Sequence, residues 1–231
     1  MTQPSTTAIR TDLTPVLPSR GALRPLGLDE VRITGGFWGD RQAVNAATSI
    51  PHCDVWETRV GWISNFTRAL EGTLVGNRTG REFSDSDVYK MIEAMAWEVA
   101  RTGDPALDAR IRELGALIAQ VQQSDGYLNT KFGRPGQEPC YSDLAWGHEL
   151  YCYGHLIQAA VARARTGGDQ TLVEVTRRAA DHVCDTFGAD GLAGALIGFK
   201  ANNIEALFVE KFDRAKPDYT AIAPRVSQKQ P

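Results

Sequence analysis

The chain has 231 residues, 42% of them hydrophobic, and a net charge of −3. That length and apolar content suit one large folded domain rather than a disordered or fibrous chain. Lys and Arg are scattered without a basic block, so neither nucleic acid nor an anionic membrane is an expected partner. No run of eighteen apolar residues is present, so no transmembrane helix is expected. The opening residues lack an apolar h-region, which gives no secretory signal and a cytoplasmic expectation. Cys53, Cys140, Cys152 and Cys184 are neither adjacent nor in C-x-x-C spacing and read as free thiols.

Residues 1–26, rich in Pro, Ser and Thr, read as a disordered leader. Leu28 to Thr34 alternates enough to predict a short strand, closed by Gly35 and Gly36. Asp40 to Ile50 is a candidate helix that should stop at Pro51, because proline disfavours helical geometry in the residue before it. A weaker helix over 55–71 is interrupted by Gly61. Ser84-Asp85-Ser86-Asp87 has a helix-start pattern close to a capping box. Behind it Val88, Met91, Ile92, Met95 and Val99 recur at helical spacing up to Gly103. Asp104 and Pro105 suit an N-cap and a first turn, and open a helix reaching about residue 124. A Gly/Pro-rich loop runs from Tyr127 to Cys140. Further helices are predicted over about 143–165 and 170–187.

These four helices contain an internal repeat. Ala100-Arg101-Thr102-Gly103 recurs as Ala164-Arg165-Thr166-Gly167, and Asp125-Gly126 recurs as Asp190-Gly191, at offsets of 64 and 65 residues. Each unit is then a helical hairpin. One hairpin cannot bury both of its apolar faces, so the units must stack, either in a ring or in a line.

Several local motifs point further. Gly36-Phe37-Trp38 with Arg41, Asn45 and Ile50-Pro51 forms the first block. Phe83 to Lys90 with Glu93 forms the second, and Asp125 to Thr130 the third. His148-Glu149-Leu150-Tyr151 and Gly154-His155-Leu156-Ile157 form the fourth. In this order they resemble glycoside hydrolase family 127, the β-L-arabinofuranosidase family, over roughly residues 28–194. The resemblance implies an all-α fold, a partial (α/α)6 toroid of helical hairpins with a short N-terminal extended segment. It also implies removal of a terminal L-arabinofuranose from a glycan. By the same resemblance, relatives use a cysteine nucleophile beside zinc, with a glutamate acid/base, in the later half of the barrel.

The domain reading is a leader over 1–26, the N-terminal part of the catalytic domain over 27–194, and a divergent tail over 195–231. After Gly194 the family's Gly-His-Pro-Glu-Ile-Glu-like segment, with its sugar-holding histidine, has no counterpart beyond Ile204-Glu205. Truncation or a frameshift is therefore expected, with no cofactor in this chain and no activity alone. The expected partner is a small carbohydrate, with self-association through an exposed hairpin edge. A helical-repeat binding scaffold, or another α/α-toroid hydrolase or lyase, stands as the alternative.

His148, Tyr151, Cys152 and His155 share one helix face at i, i+3, i+4 and i+7. His148 lies near its helix start, where an imidazole can donate to or accept from a sugar hydroxyl; otherwise it is a hydrogen-bonded core histidine. The repeat places Asp87 opposite Tyr151, as a hydroxyl acceptor or as a helix-start carboxylate. Tyr127, with Asn129, lines a sugar pocket or serves the turn after Asp125-Gly126. The substrate-binding set is thus His148, Asp87, Tyr127 and Tyr151. Trp38, Trp56, Trp62, Trp97 and Trp146 include a stacking platform or serve as core. A zinc site from His148, Cys152 and His155 is disfavoured, because one helix offers three ligands where structural zinc takes four. No pair of carboxylates suggests itself as a catalytic couple.

Overall fold

A computed structural model describes Leu23, residues 26–28 and residues 30–187. The predicted leader and the tail over 195–231 lie almost wholly outside these residues. Every regular element among the described residues is helical. The strand predicted over Leu28–Thr34 is not formed: residues 31–34 are irregular and exposed. A strand needs a partner for its backbone N–H and C=O groups, and alternation alone cannot supply one.

Helix α1 (Gly36–Val44) continues through a π-helical turn, Asn45–Ser49, into α2 (Ile50–Arg59). Pro51 therefore does not stop the helix as expected. The Ile50 N–H donates to the Asn45 carbonyl. This wider turn accommodates proline at the start of α2, where a missing N–H is tolerated best. Gly61, at φ 82°, breaks the chain before α3 (Trp62–Glu71), as its position in the sequence suggested.

The four strong helices follow as α4 (Ser84–Thr102), α5 (Pro105–Val121), α6 (Glu149–Arg165) and α7 (Thr171–Phe187). Gly103 closes α4 in the left-handed conformation. Asp104 caps α5, its carboxylate accepting from the N–H groups of Ala106 and Leu107. Helix α6 begins six residues or so later than predicted. Tyr141 and His148 both have positive φ, and Asp143 takes up the N–H groups of Trp146 and Gly147, so this stretch is a structured loop.

The helices form successive hairpins, α2/α3, α4/α5 and α6/α7, in two layers. Helix α4 packs against α2 on one side and most extensively against α6 on the other, while α5 packs between α3 and α7. The core lies between the layers, around Phe66, Ile92, Met95, Leu114, Ile118, Leu156, Leu172 and Val183. Buried Arg163, near the end of α6, ties the hairpins together through Asp108 of α5 at 2.6 Å and Asp169 at 3.0 Å. Among the described residues no helix is long and apolar enough to cross a membrane.

Candidate functional site

Because α4 and α6 are equivalent members of two hairpins, they run parallel and start at the same end. Loop 72–83 leads into α4, and loop 122–148 leads into α6. Asn65 pins the first loop, donating to the Thr79 carbonyl at 2.8 Å and accepting from its N–H at 3.0 Å. Arg78 then donates to Thr130 Oγ1 and to the carbonyls of Gly80 and Arg81. Asp85, 1% exposed, joins the two loops. It accepts from the Thr130 N–H at 2.8 Å and hydroxyl at 2.5 Å, with Arg78 at 3.6 Å. Burial raises the Asp85 pKa, although Arg78 and Thr130 pull the other way.

Above this base, His148 sits at the N-cap of α6 with φ 58°. Its ring lies edge-on to Phe83 at 5.3 Å and to Tyr151 at 5.8 Å, and its Nδ1 contacts the Trp146 carbonyl. Tyr151 is partly exposed and packs against His155 at 4.6 Å. Lys90 of α4 places its ammonium 5.1 Å from the Tyr151 ring centre and donates to Asp87 at 3.1 Å. Its pKa is raised: burial lowers it, but contacts with Tyr151 and Asp87 outweigh that. Asp87 and Tyr151, paired by the repeat offset, are thus linked in space through Lys90.

Tyr127 lies elsewhere. It is buried beneath the surface, and its hydroxyl donates to Glu149, which also accepts from the Tyr141 N–H. Burial, then the Glu149 charge, push the Tyr127 pKa far up, so the ring is a neutral donor. Asn129 is fully buried and serves the turn, accepting from the N–H groups of Lys131 and Phe132. The predicted single face of α6 is split: Cys152 turns into the core, while His148, Tyr151 and His155 remain partly accessible. Packing of α6 against both α4 and α7 widens its buried stripe beyond what spacing suggested.

Three participants were missed in the sequence. Lys90 lay within a recognised motif, and its spacing of three from Asp87 was the available signal. Glu149 was hidden beside His148. Glu57 of α2 is buried, with Oε2 unpartnered, and faces Asp87, Asp54, Lys90 and Arg110. Burial first, then Asp87 and Asp54, raise its pKa to about 8, so at neutral pH it is mainly a protonated carboxylic acid.

The resemblance assigns its zinc centre to the later half of the barrel. Among the described residues no three His, Cys, Asp or Glu side chains come together as a metal site. Cys53 and Cys140 are exposed and Cys152 is buried, and burial raises the pKa of all three thiols. A separate groove of about 560 Å³ runs between loops 74–78 and 131–139, bordered by Leu74, Arg78, Lys131, Gln137 and Pro139. None of the four predicted binding residues lines it.

Fold and site together define an all-helical hairpin protein with a cluster of polar and aromatic side chains at the shared starts of its inner helices. The family described as "Beta-L-arabinofuranosidase, GH127 catalytic domain" matches residues 30–211, past the Gly194 boundary drawn from motifs, and the chain belongs to that family. It is 41% identical over 127 residues to a non-reducing end β-L-arabinofuranosidase of Bifidobacterium longum, covering 53% of this chain and 19% of that protein. A solved GH127 β-L-arabinofuranosidase from Geobacillus stearothermophilus T6 superposes with a TM-score of 0.65 at 31% identity, over 79% of this chain and 29% of that one. Another GH127 β-arabinofuranosidase gives 0.63 at 28% identity, over 68% and 26%. The chain thus spans between a fifth and a third of the length of these relatives.

Proposed function

We propose that this chain contributes one wall of the sugar pocket of a β-L-arabinofuranosidase-type glycoside hydrolase, its hairpins forming part of an (α/α)6 toroid. The observation that carries this reading is the convergence of His148, Tyr151, Lys90 and Asp87 where α4 and α6 begin. In it, His148 Nε2 meets a furanose hydroxyl, and Asp87 and Lys90 offer an acceptor and a donor to the others. Tyr151 supplies an apolar edge and a hydroxyl. Tyr127 acts from behind, holding Glu149 and with it the loop that ends at His148. The family membership and the named activities of the relatives support the reaction class.

Within this reading the 231-residue chain alone binds the sugar without hydrolysing it. Among its described residues the cysteines are free and no three His, Cys, Asp or Glu side chains come together as a metal site, and a nucleophile with its metal supplies much of the rate enhancement in such chemistry. Self-association through the exposed apolar side of α1 and α2 belongs to the same proposal, and analytical ultracentrifugation reads it. The main test uses purified chain with p-nitrophenyl β-L-arabinofuranoside, zinc and reductant, beside NMR titration with L-arabinose. The expected result is no turnover and weak binding that His148→Ala reduces roughly three- to tenfold. Turnover abolished by His148→Ala would refute the inactivity, and absence of sugar binding would refute the pocket.

A further inference from the structure

Helix α2 carries two carboxyl groups, and among the described residues only one of them is ion-paired. Asp54 accepts from Arg110 of α5, at 2.7 Å from Nη2 and 3.1 Å from Nε, and Glu113 holds the same guanidinium at 2.9 Å. On α4, Asp87 accepts from Lys90 at 3.1 Å. Glu57 is near both pairs: it faces Asp54, Asp87, Lys90 and Arg110, with the Cys53 thiol one turn before it on α2. Both cations are already engaged. Glu57 is 7% exposed, and its Oε2 is buried with no hydrogen-bond partner. Once ionised it would be a further negative charge beside Asp54 and Asp87, in a place where water cannot solvate it.

The two cations are not equally held. Arg110 is a planar fork fixed by carboxylates on two sides. Lys90 is a single ammonium on a flexible stem, its side chain 37% exposed, shared between Asp87 and the Tyr151 ring 5.1 Å away. A new negative charge at Glu57 would therefore move Lys90 sooner than Arg110. That ammonium links Asp87 to Tyr151, so moving it opens the cluster at the starts of α4 and α6.

We propose that Glu57 is a positioning residue for Lys90: with its proton it leaves the ammonium on Asp87 and Tyr151, and without it draws the ammonium back toward α2. The consequence for sugar binding rests on the reading of that cluster as a sugar pocket. The proton leaves to solvent, and no other bond changes. Burial holds the Cys53 thiol above its usual 9.0. The Lys90 ammonium, whose contacts with Tyr151 and Asp87 outweigh burial, stays above 10.5. His155 of α6, which packs on Tyr151, has its pKa lowered by burial and then by Lys90, so it is neutral above pH 7. Glu57 is left to change charge between about pH 7 and pH 9.

The test follows the Tyr151 ring signals of the full chain by NMR across that range, and measures L-arabinose affinity at each pH. The ring signals are assigned by their loss in Tyr151→Phe. In wild type they should titrate with a midpoint near pH 8, and the affinity should fall roughly three- to tenfold over the range. Glu57→Gln, which has no proton to lose, should remove both the titration and the fall. Lys90→Gln should remove them as well, because the charge that moves is gone. A Tyr151 titration that persists in Glu57→Gln, or a wild-type affinity that does not fall, overturns the proposal. Wild-type chain that binds no sugar at any pH overturns the pocket reading, and the Tyr151 titration then decides the positioning of Lys90 by itself.

Discussion

Replacing Asp85 separates the role of its shape from that of its charge. In Asp85→Ala, the buried Thr130 N–H and hydroxyl both lose their acceptor. Arg78, whose side chain is 9% exposed, loses its nearby counter-charge. Each orphaned donor costs about 1–3 kcal/mol. Loss of one partner of a buried ion pair costs about 3–5 kcal/mol. The terms overlap, because Arg78 keeps its bonds to Thr130, Gly80 and Arg81. A total of about 4 kcal/mol follows, a large share of the roughly 5–15 kcal/mol that holds a domain folded. Asp85→Asn differs. The amide oxygen still accepts from the Thr130 N–H, and the hydroxyl can rotate to accept from the amide nitrogen. Burial already disfavours the charge, since it raises the Asp85 pKa despite its partners. The asparagine variant keeps both bonds to Thr130 but, like alanine, leaves Arg78 without its counter-charge, so it should lose less than alanine, about 2 kcal/mol. Urea unfolding at pH 7, followed by far-ultraviolet circular dichroism, gives both numbers from midpoints at a common slope. An alanine variant within 1 kcal/mol of wild type, or an asparagine variant as damaged as alanine, would refute the reasoning.

Glu57 should make stability fall as pH rises. Its folded pKa of about 8 lies above the unfolded value of 4.5, so its favourable contribution is full below pH 4.5 and gone above about pH 8. Glu57→Gln should flatten the stability profile between those limits, and an unchanged slope would count against a buried, protonated Glu57. Gly126→Ala should destabilise the fold by about 3 kcal/mol. The position has φ +94°, and the new Cβ would lie 2.3 Å from the Arg178 carbonyl; a thermal midpoint close to wild type would contradict this. Asp104→Ala should cost about 1 kcal/mol through loss of the α5 cap, and hydrogen exchange should quicken at Ala106 and Leu107 before it does elsewhere.

What was legible in the sequence was whatever local chemistry decides. Helices α4, α5 and α7 follow from apolar residues at helical spacing and from the terminators Gly103, Asp104-Pro105 and Asp125-Gly126. The hairpin repeat, and with it the parallel placement of α4 and α6, was readable from the recurrence of Ala-Arg-Thr-Gly. His148 and Tyr151 were neighbours by spacing alone. Other features depend on contacts between residues distant in sequence. A π-helical turn carries α2 through Pro51, and the stretch from Leu28 has no strand to pair with. Nothing in residues 125–130 distinguishes a pocket-lining Tyr127 from one drawn inward by Glu149, since their meeting requires α6 to be in place. Glu57, Asp85 and Lys90 acquire their roles the same way, from burial and from charges on other helices. Spacing can put side chains on a face, but only packing decides whether that face meets water, and electrostatic character follows from that.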